Sequence, residues 1–160
     1  MVMRFAVDKM LGRLATWLRL IGQDATYGPH LSGRTLVRQA RSDGRTILTR
    51  DHRLLREPQP PPLLFVESDH VREQLRQVVE ACALDPCAQL FTRCLRCNEP
   101  VVAVPKAELE HHVPPYVFAT QERFVRCPRC RRVYWAATHY DRAREELRAM
   151  GFRAGADAQG

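Results

Sequence analysis

The apolar residues of this chain change period several times. RFAVD (Arg4 to Asp8) is a short apolar run that predicts a buried strand, and Leu11, Leu14, Ala15, Leu18 and Ile21 then recur at spacings of three and four, predicting an amphipathic helix that stops at Gly22. A weaker strand is expected over Asp24 to Tyr27, broken by Gly28-Pro29. Arg34 to Ser42 repeats the helical spacing through Leu36, Val37 and Ala40, and Asp43-Gly44 turns the chain into a strand over Thr46 to Thr49 that ends at Asp51. The proline-rich stretch Glu57 to Pro62 reads as an extended loop, Leu63 to Val66 as a fourth strand, and Val71, Leu75, Val78, Val79 and Cys82 as the buried face of a third helix.

Strands alternating with helices predict an α/β unit with a largely parallel sheet over residues 1–88. After it the pattern changes to short Val-rich and aromatic runs, prolines at 100, 105, 114 and 115, and paired cysteines, so a second unit is expected over residues 89–150. Asp141 to Met150 reads as a helix closing that unit, and residues 151–160 as a frayed tail.

Two C-x-x-C pairs, Cys94-Leu-Arg-Cys97 and Cys127-Pro-Arg-Cys130, are separated by 29 residues. Each pair can turn two sulfurs toward one ion, and two pairs complete the tetrahedral set that Zn²⁺ prefers. Four sulfurs leave no open position, so the expected ion is structural. His111 and His112 lie in the spacer and could in principle replace a sulfur, though a complete set makes that unnecessary. Cys82 and Cys87 fall outside the pattern and read as core thiols, and His139 reads as a packing or hydrogen-bonding residue.

Lys and Arg outnumber Asp and Glu by 25 to 18, a formal charge of +7, which falls to about +5 if four thiolates hold one Zn²⁺. The bias suits an anionic partner such as RNA without requiring one. No run approaches the roughly 18 apolar residues of a membrane span, and the charged N-terminus lacks a signal-peptide core, so no membrane partner and a cytoplasmic location are expected. Arg129 and Arg131 flank the second cysteine pair, where rigid arginines can meet phosphates, with Tyr134 and Trp135 close by for base stacking. A solvated charged rim over buried rings would leave the same sequence pattern.

Asp8 and Asp51 follow the first and third strands, which in a parallel sheet places both at the carboxyl edge, where ligands bind. Such a pair could bridge Mg²⁺ or Mn²⁺ and serve catalysis, with Asp69 as a further acid and Lys9, Arg13 and Arg50 as phosphate contacts. Asp24 starts its strand and is expected at the opposite edge. Asp is also a favoured N-cap, and a helical turn could follow each of Asp8, Asp51 and Asp69.

The stretches VDKMLGRLATWLRLIGQD, GRTILTRDHRLL, CLRCN and CPRCRRVYWAATHY together resemble the PIN-like Mut-seven C-terminal ribonuclease domain, called Mut-seven-C, over about Arg4 to Leu147. The resemblance implies a PIN-like α/β domain joined to a C-terminal zinc ribbon, with metal-dependent RNA cleavage. It places the strand-end acids on Asp8 and Asp51 and the ribbon ligands on Cys94, Cys97, Cys127 and Cys130. Gly33 stands where relatives often have an Asp opening the second helix. A noncatalytic RNA- or ribosome-binding protein with a degenerate PIN-like site is the alternative.

Overall fold

A computed structural model describes residues 3–135 and 137–152, with the side chains of 137–139 left out. The expected α/β alternation is present: β1 (Arg4–Val7), α1 (Gly12–Leu20), β2 (Asp24–Thr26), α2 (Gly33–Asp43), β3 (Thr46–Thr49), β4 (Leu63–Phe65) and α3 (Val71–Ala81) follow in order. The four strands are parallel, in the order β2-β1-β3-β4. Crossover connections bury both faces of the sheet, so its central strands are apolar on both sides. Phe5, Val7 and Leu48 face α1 and α3, while Ala6 and Ile47 face Leu36, Val37 and Ala40 of α2.

The cysteine-containing segment forms an antiparallel sheet, β5 (Val102–Val104), β6 (Phe124–Arg126) and β7 (Val133–Trp135), with a short α4 (Pro115–Thr120) between β5 and β6. Its small core gathers Leu109, Val113 and Phe124, with Trp135 edge-on to Phe124. The closing helix α5 (Ala137–Ala149) begins four residues before the predicted Asp141. It does not pack on the ribbon alone: Leu147 and Met150 enter the main core beside Leu75 and Val78, as does Leu90 just past the composition change. Phe152 packs against the same core, and residues 153–160 of the expected tail lie outside the described residues.

Two glycines allow close approaches that position the site. A Cβ at Gly12 would stand 2.8 Å from the Tyr27 hydroxyl, so the glycine of the DKMLGRL stretch lets the Tyr27 ring cross the start of α1. At Gly22 (φ +88°) a Cβ would stand 2.4 Å from the Gln89 carbonyl oxygen, so the chain leaving the first unit lies directly against the turn after α1. Among the described residues no helix is long and apolar enough to cross a membrane.

Candidate functional site

β1 and β3 are adjacent and parallel, so Asp8 and Asp51 leave the sheet at the same edge. Asp8 is 1% exposed and its amide donates to the Leu48 carbonyl (2.9 Å). One carboxylate oxygen accepts from the Lys9 amide (2.8 Å), capping a 3₁₀ turn at Lys9–Leu11, and the other accepts from the Thr49 hydroxyl (2.6 Å). The Thr49 oxygen in turn accepts from the Asp51 amide (2.9 Å). A fully buried hydroxyl therefore joins the two acidic positions.

Asp51 caps the turn at His52–Arg56, accepting from the Arg53 amide (2.9 Å). Both of its oxygens also receive the Arg53 guanidinium, at 2.9 to 3.2 Å. That guanidinium and the amide bond hold the Asp51 carboxyl below the usual carboxylate range. The Arg53 pKa is raised in return, chiefly by Asp51 and in small part by the field of Asp8.

Neither Asp69 nor the Gly33 position adds a carboxylate to a ligand cluster with the pair. Asp69 is 74% exposed on the surface beside His70 (3.5 Å), and Gly33 opens α2 with no carboxylate to offer. Among the described residues no third His, Cys, Asp or Glu joins Asp8 and Asp51 in a ligand cluster. Lys9, the residue after Asp8, and Arg13, in the first turn of α1, are both exposed. Arg50 donates to the carbonyls of Val66 (3.2 Å) and Glu67 (3.3 Å), tying together the carboxyl ends of β3 and β4. Asp24 lies at the opposite edge, as its position at the start of β2 predicts.

Cys94, Cys97, Cys127 and Cys130 come together with all four sulfurs within 4.8 Å of one another. The Cys94–Cys130 sulfur separation is 3.7 Å, matching the edge of about 3.8 Å of a tetrahedron with Zn–S arms of about 2.3 Å. The donors and their spacing fit a structural Zn²⁺. The two knuckles share one hydrogen-bond pattern: Cys94 and Cys127 accept from the amides of Asn98 and Arg131 and donate to the carbonyls of Glu99 and Arg132. Asn98 (φ +66°) and Arg131 (φ +67°) occupy the same left-handed turn position. Burial pushes the Cys94 thiol up, but the Tyr134 hydroxyl at 3.1 Å and the knuckle amides outweigh it and bring the pKa down to about 7. The Cys97 thiol is pushed up to about 12 by burial and the neighbouring sulfurs. His111 and His112 are exposed and outside this set; Cys82 is half-buried against the main core, and the side chain of His139 lies outside the described residues.

The first knuckle docks on the outer edge of β2. Ala25, whose amide and carbonyl face away from β1, donates to the Asn98 side-chain oxygen (2.9 Å) and accepts from Arg19 Nε (2.9 Å). Arg19, almost fully buried, also donates to the carbonyls of Leu95 and Arg96. The Asn98 amide donates to Asp24 (2.7 Å), which pairs with Arg45 (2.6 Å). Beside this seam runs a cleft of about 790 Å³, lined by Tyr27 and His30 on one side and Arg96 and Arg129 on the other. The Tyr27 hydroxyl donates to the Lys9 carbonyl (2.7 Å), so one wall of the cleft touches the residue after Asp8.

The family model of the Mut7-C RNAse domain matches residues 3–147. The chain belongs to the Mut7-C RNAse domain family. No curated protein and no solved structure gives a match. The matched span of this Mut7-C chain contains both strand-end acids, both knuckles and most of α5. RNA is accordingly the substrate class that the family implies.

Sequence reasoning missed Thr49, Arg53 and Arg19 as parts of the arrangement. A threonine at a strand end reads as β-propensity, and Arg53, two residues beyond Asp51, reads as charge on an exposed turn. The T-R-D spacing held the signal, because the Thr49 hydroxyl meets the amide two residues on.

Proposed function

We propose that this Mut7-C chain is a divalent-metal-dependent ribonuclease that cleaves RNA phosphodiester bonds at the carboxyl edge of its parallel sheet. The observation that carries the reading is the chain of contacts Asp8–Thr49–Asp51, with Asp8 1% exposed. A cap needs one carboxylate oxygen at a surface, whereas burying a carboxylate is costly unless its partners are supplied. Here a buried hydroxyl orients the second oxygen of Asp8 beside the start of Asp51.

Asp8 and Asp51 offer hard oxygen donors of the kind that suits Mg²⁺ or Mn²⁺, ions that retain several waters and so need few protein ligands. Such an ion, when bound, supplies an activated water and offsets charge on the scissile phosphate. Thr49 holds the Asp8 carboxylate in orientation. Lys9 and Arg13 are exposed where they can contact the RNA backbone, and Arg129 contributes from the cleft. Because the Arg53 guanidinium occupies both Asp51 oxygens, a cation held there would have to displace it. By analogy with PIN nucleases the products carry 5′-phosphate and 3′-hydroxyl ends.

The test is cleavage of a labelled single-stranded RNA with Mg²⁺ or Mn²⁺ by wild type, Asp8→Asn and Asp51→Asn. Loss of at least about a hundredfold in rate is expected for each. Cleavage unchanged by both substitutions removes the mechanism.

A second reading, a noncatalytic RNA- or ribosome-binding protein, is favoured by Arg53 covering Asp51 and by Gly33, which leaves no third acid clustered with the pair among the described residues. It predicts RNA binding that weakens with salt and is indifferent to divalent ions, with no cleavage in any of the three proteins.

A further inference from the structure

The ribbon carries a second basic cavity, away from β2. It has a volume of about 630 Å³ and is bounded by Arg126, Arg131, Arg132, His112 and Trp135, with Glu108 as its acid. Three guanidinium groups against one carboxylate leave the cavity cationic.

Two features point to an anionic ligand here. Arg126 Nε is shielded from solvent and has no hydrogen-bond partner among the described residues, so an acceptor oxygen is wanted at this position. Arg131 takes the left-handed backbone (φ +67°) of the knuckle turn, as Asn98 does (φ +66°). The matching position of the other knuckle is Asn98, whose side chain docks on β2, whereas the Arg131 side chain is exposed with no partner among the described residues. The two knuckles are alike in backbone and divided in use.

Trp135 meets Phe124 edge-on at 6.5 Å, and its ring borders both this cavity and a neighbouring one. Tyr134 is less suited to stacking, because its hydroxyl is held at Cys94 Sγ. An aromatic face beside paired guanidinium groups suits a base next to a phosphodiester. In an A-form duplex the bases are stacked on one another and their faces are closed to such a ring.

We propose that this cavity binds single-stranded RNA, with Arg126, Arg131 and Arg132 holding one phosphodiester group and Trp135 stacking the adjoining unpaired base. The proposal rests on membership of an RNase domain family and is independent of whether Asp8 and Asp51 cleave.

The test is fluorescence-anisotropy binding of a short oligouridylate to the zinc-loaded full chain with no added Mg²⁺ or Mn²⁺, which separates binding from cleavage. Replacing Arg131 and Arg132 together by Gln is expected to weaken binding about tenfold and to lower the salt-dependence slope by roughly one. Both residues are exposed, so zinc stoichiometry and circular dichroism should be unchanged. A control pair on α2, Arg34→Gln with Arg38→Gln, removes the same charge and should change affinity less than about twofold. For the base seat, an abasic strand of equal length should bind wild type about fivefold or more weakly than oligouridylate, and Trp135→Leu should abolish that difference. Unchanged binding by the Arg131 and Arg132 variant, or an equal loss in the α2 control, overturns the proposal. Equal affinity of wild type for abasic and base-bearing strands overturns the stacking component.

Discussion

A single hydroxyl, Thr49 Oγ1, donates to the Asp8 carboxylate and accepts from the Asp51 amide. Replacing it by the isosteric Val leaves a buried acceptor and a donor unmet at once. Thr49→Val is therefore expected to lose about 1–3 kcal/mol of stability, measured by urea unfolding, with Thr49→Ser recovering most of it. Arg53 has the opposite sense, because it competes for the oxygens that a cation would use. In Arg53→Ala the Asp51 carboxyl should titrate closer to the ordinary carboxylate value by NMR, and calorimetry should show tighter Mn²⁺ binding. If Mn²⁺ affinity falls instead, the guanidinium is a support of the site rather than a competitor. The placement of Asp8 and Asp51 at one edge of the sheet was legible because strand ends can be located from apolar periodicity. Their linkage was not, since a side-chain hydrogen bond between strands leaves no periodic trace.

At the scale of elements, the strands and helices of the first unit follow the apolar period to within about two residues, because both faces of the sheet and one face of each helix must be buried. α5 was underestimated at its start, where Ala137-Thr-His-Tyr140 mixes polar and aromatic residues without a clear helical stripe. The zinc knuckles were legible from spacing alone, but their seat on β2 was not. That seat depends on Asp24, whose carboxyl burial would push up, while Arg45 and Asn98 hydrogen bonds pull it below its ordinary value. A depressed carboxylate stabilises the fold above the unfolded pKa of about 3.9, and the contribution disappears as pH falls through the lower, folded value. The urea midpoint of wild type should accordingly exceed that of Asp24→Asn at pH 6, and the gap should shrink on acidification below about pH 4. A gap that widens with acid would contradict the assignment.

For the whole molecule, the composition change near Gln89 suggests two units, yet Leu90, Leu147 and Met150 belong to the core of the first. Arg19 reaches from α1 to the carbonyls of the knuckle, and Asn98 reaches back to β2. Removing Zn²⁺ with a strong chelator is therefore expected to lower the melting temperature of the chain in one coupled transition, followed by calorimetry; two separate transitions would show that the units unfold independently. Zinc affinity should also fall with falling pH, because binding must displace protons, most of all from Cys97, whose thiol is pushed up to about 12 without the metal.

The pair Arg19 and Asn98 has a consequence for how the chain behaves in a crowd. By answering the outward carbonyl and amide of Ala25, these two side chains occupy the places that a fifth strand would fill. The ribbon thus acts as a hem on an otherwise open sheet. Oxidation of its cysteines would free the metal, unpick the hem and offer β2 to the next molecule, making redox stress a route to strand-to-strand aggregation.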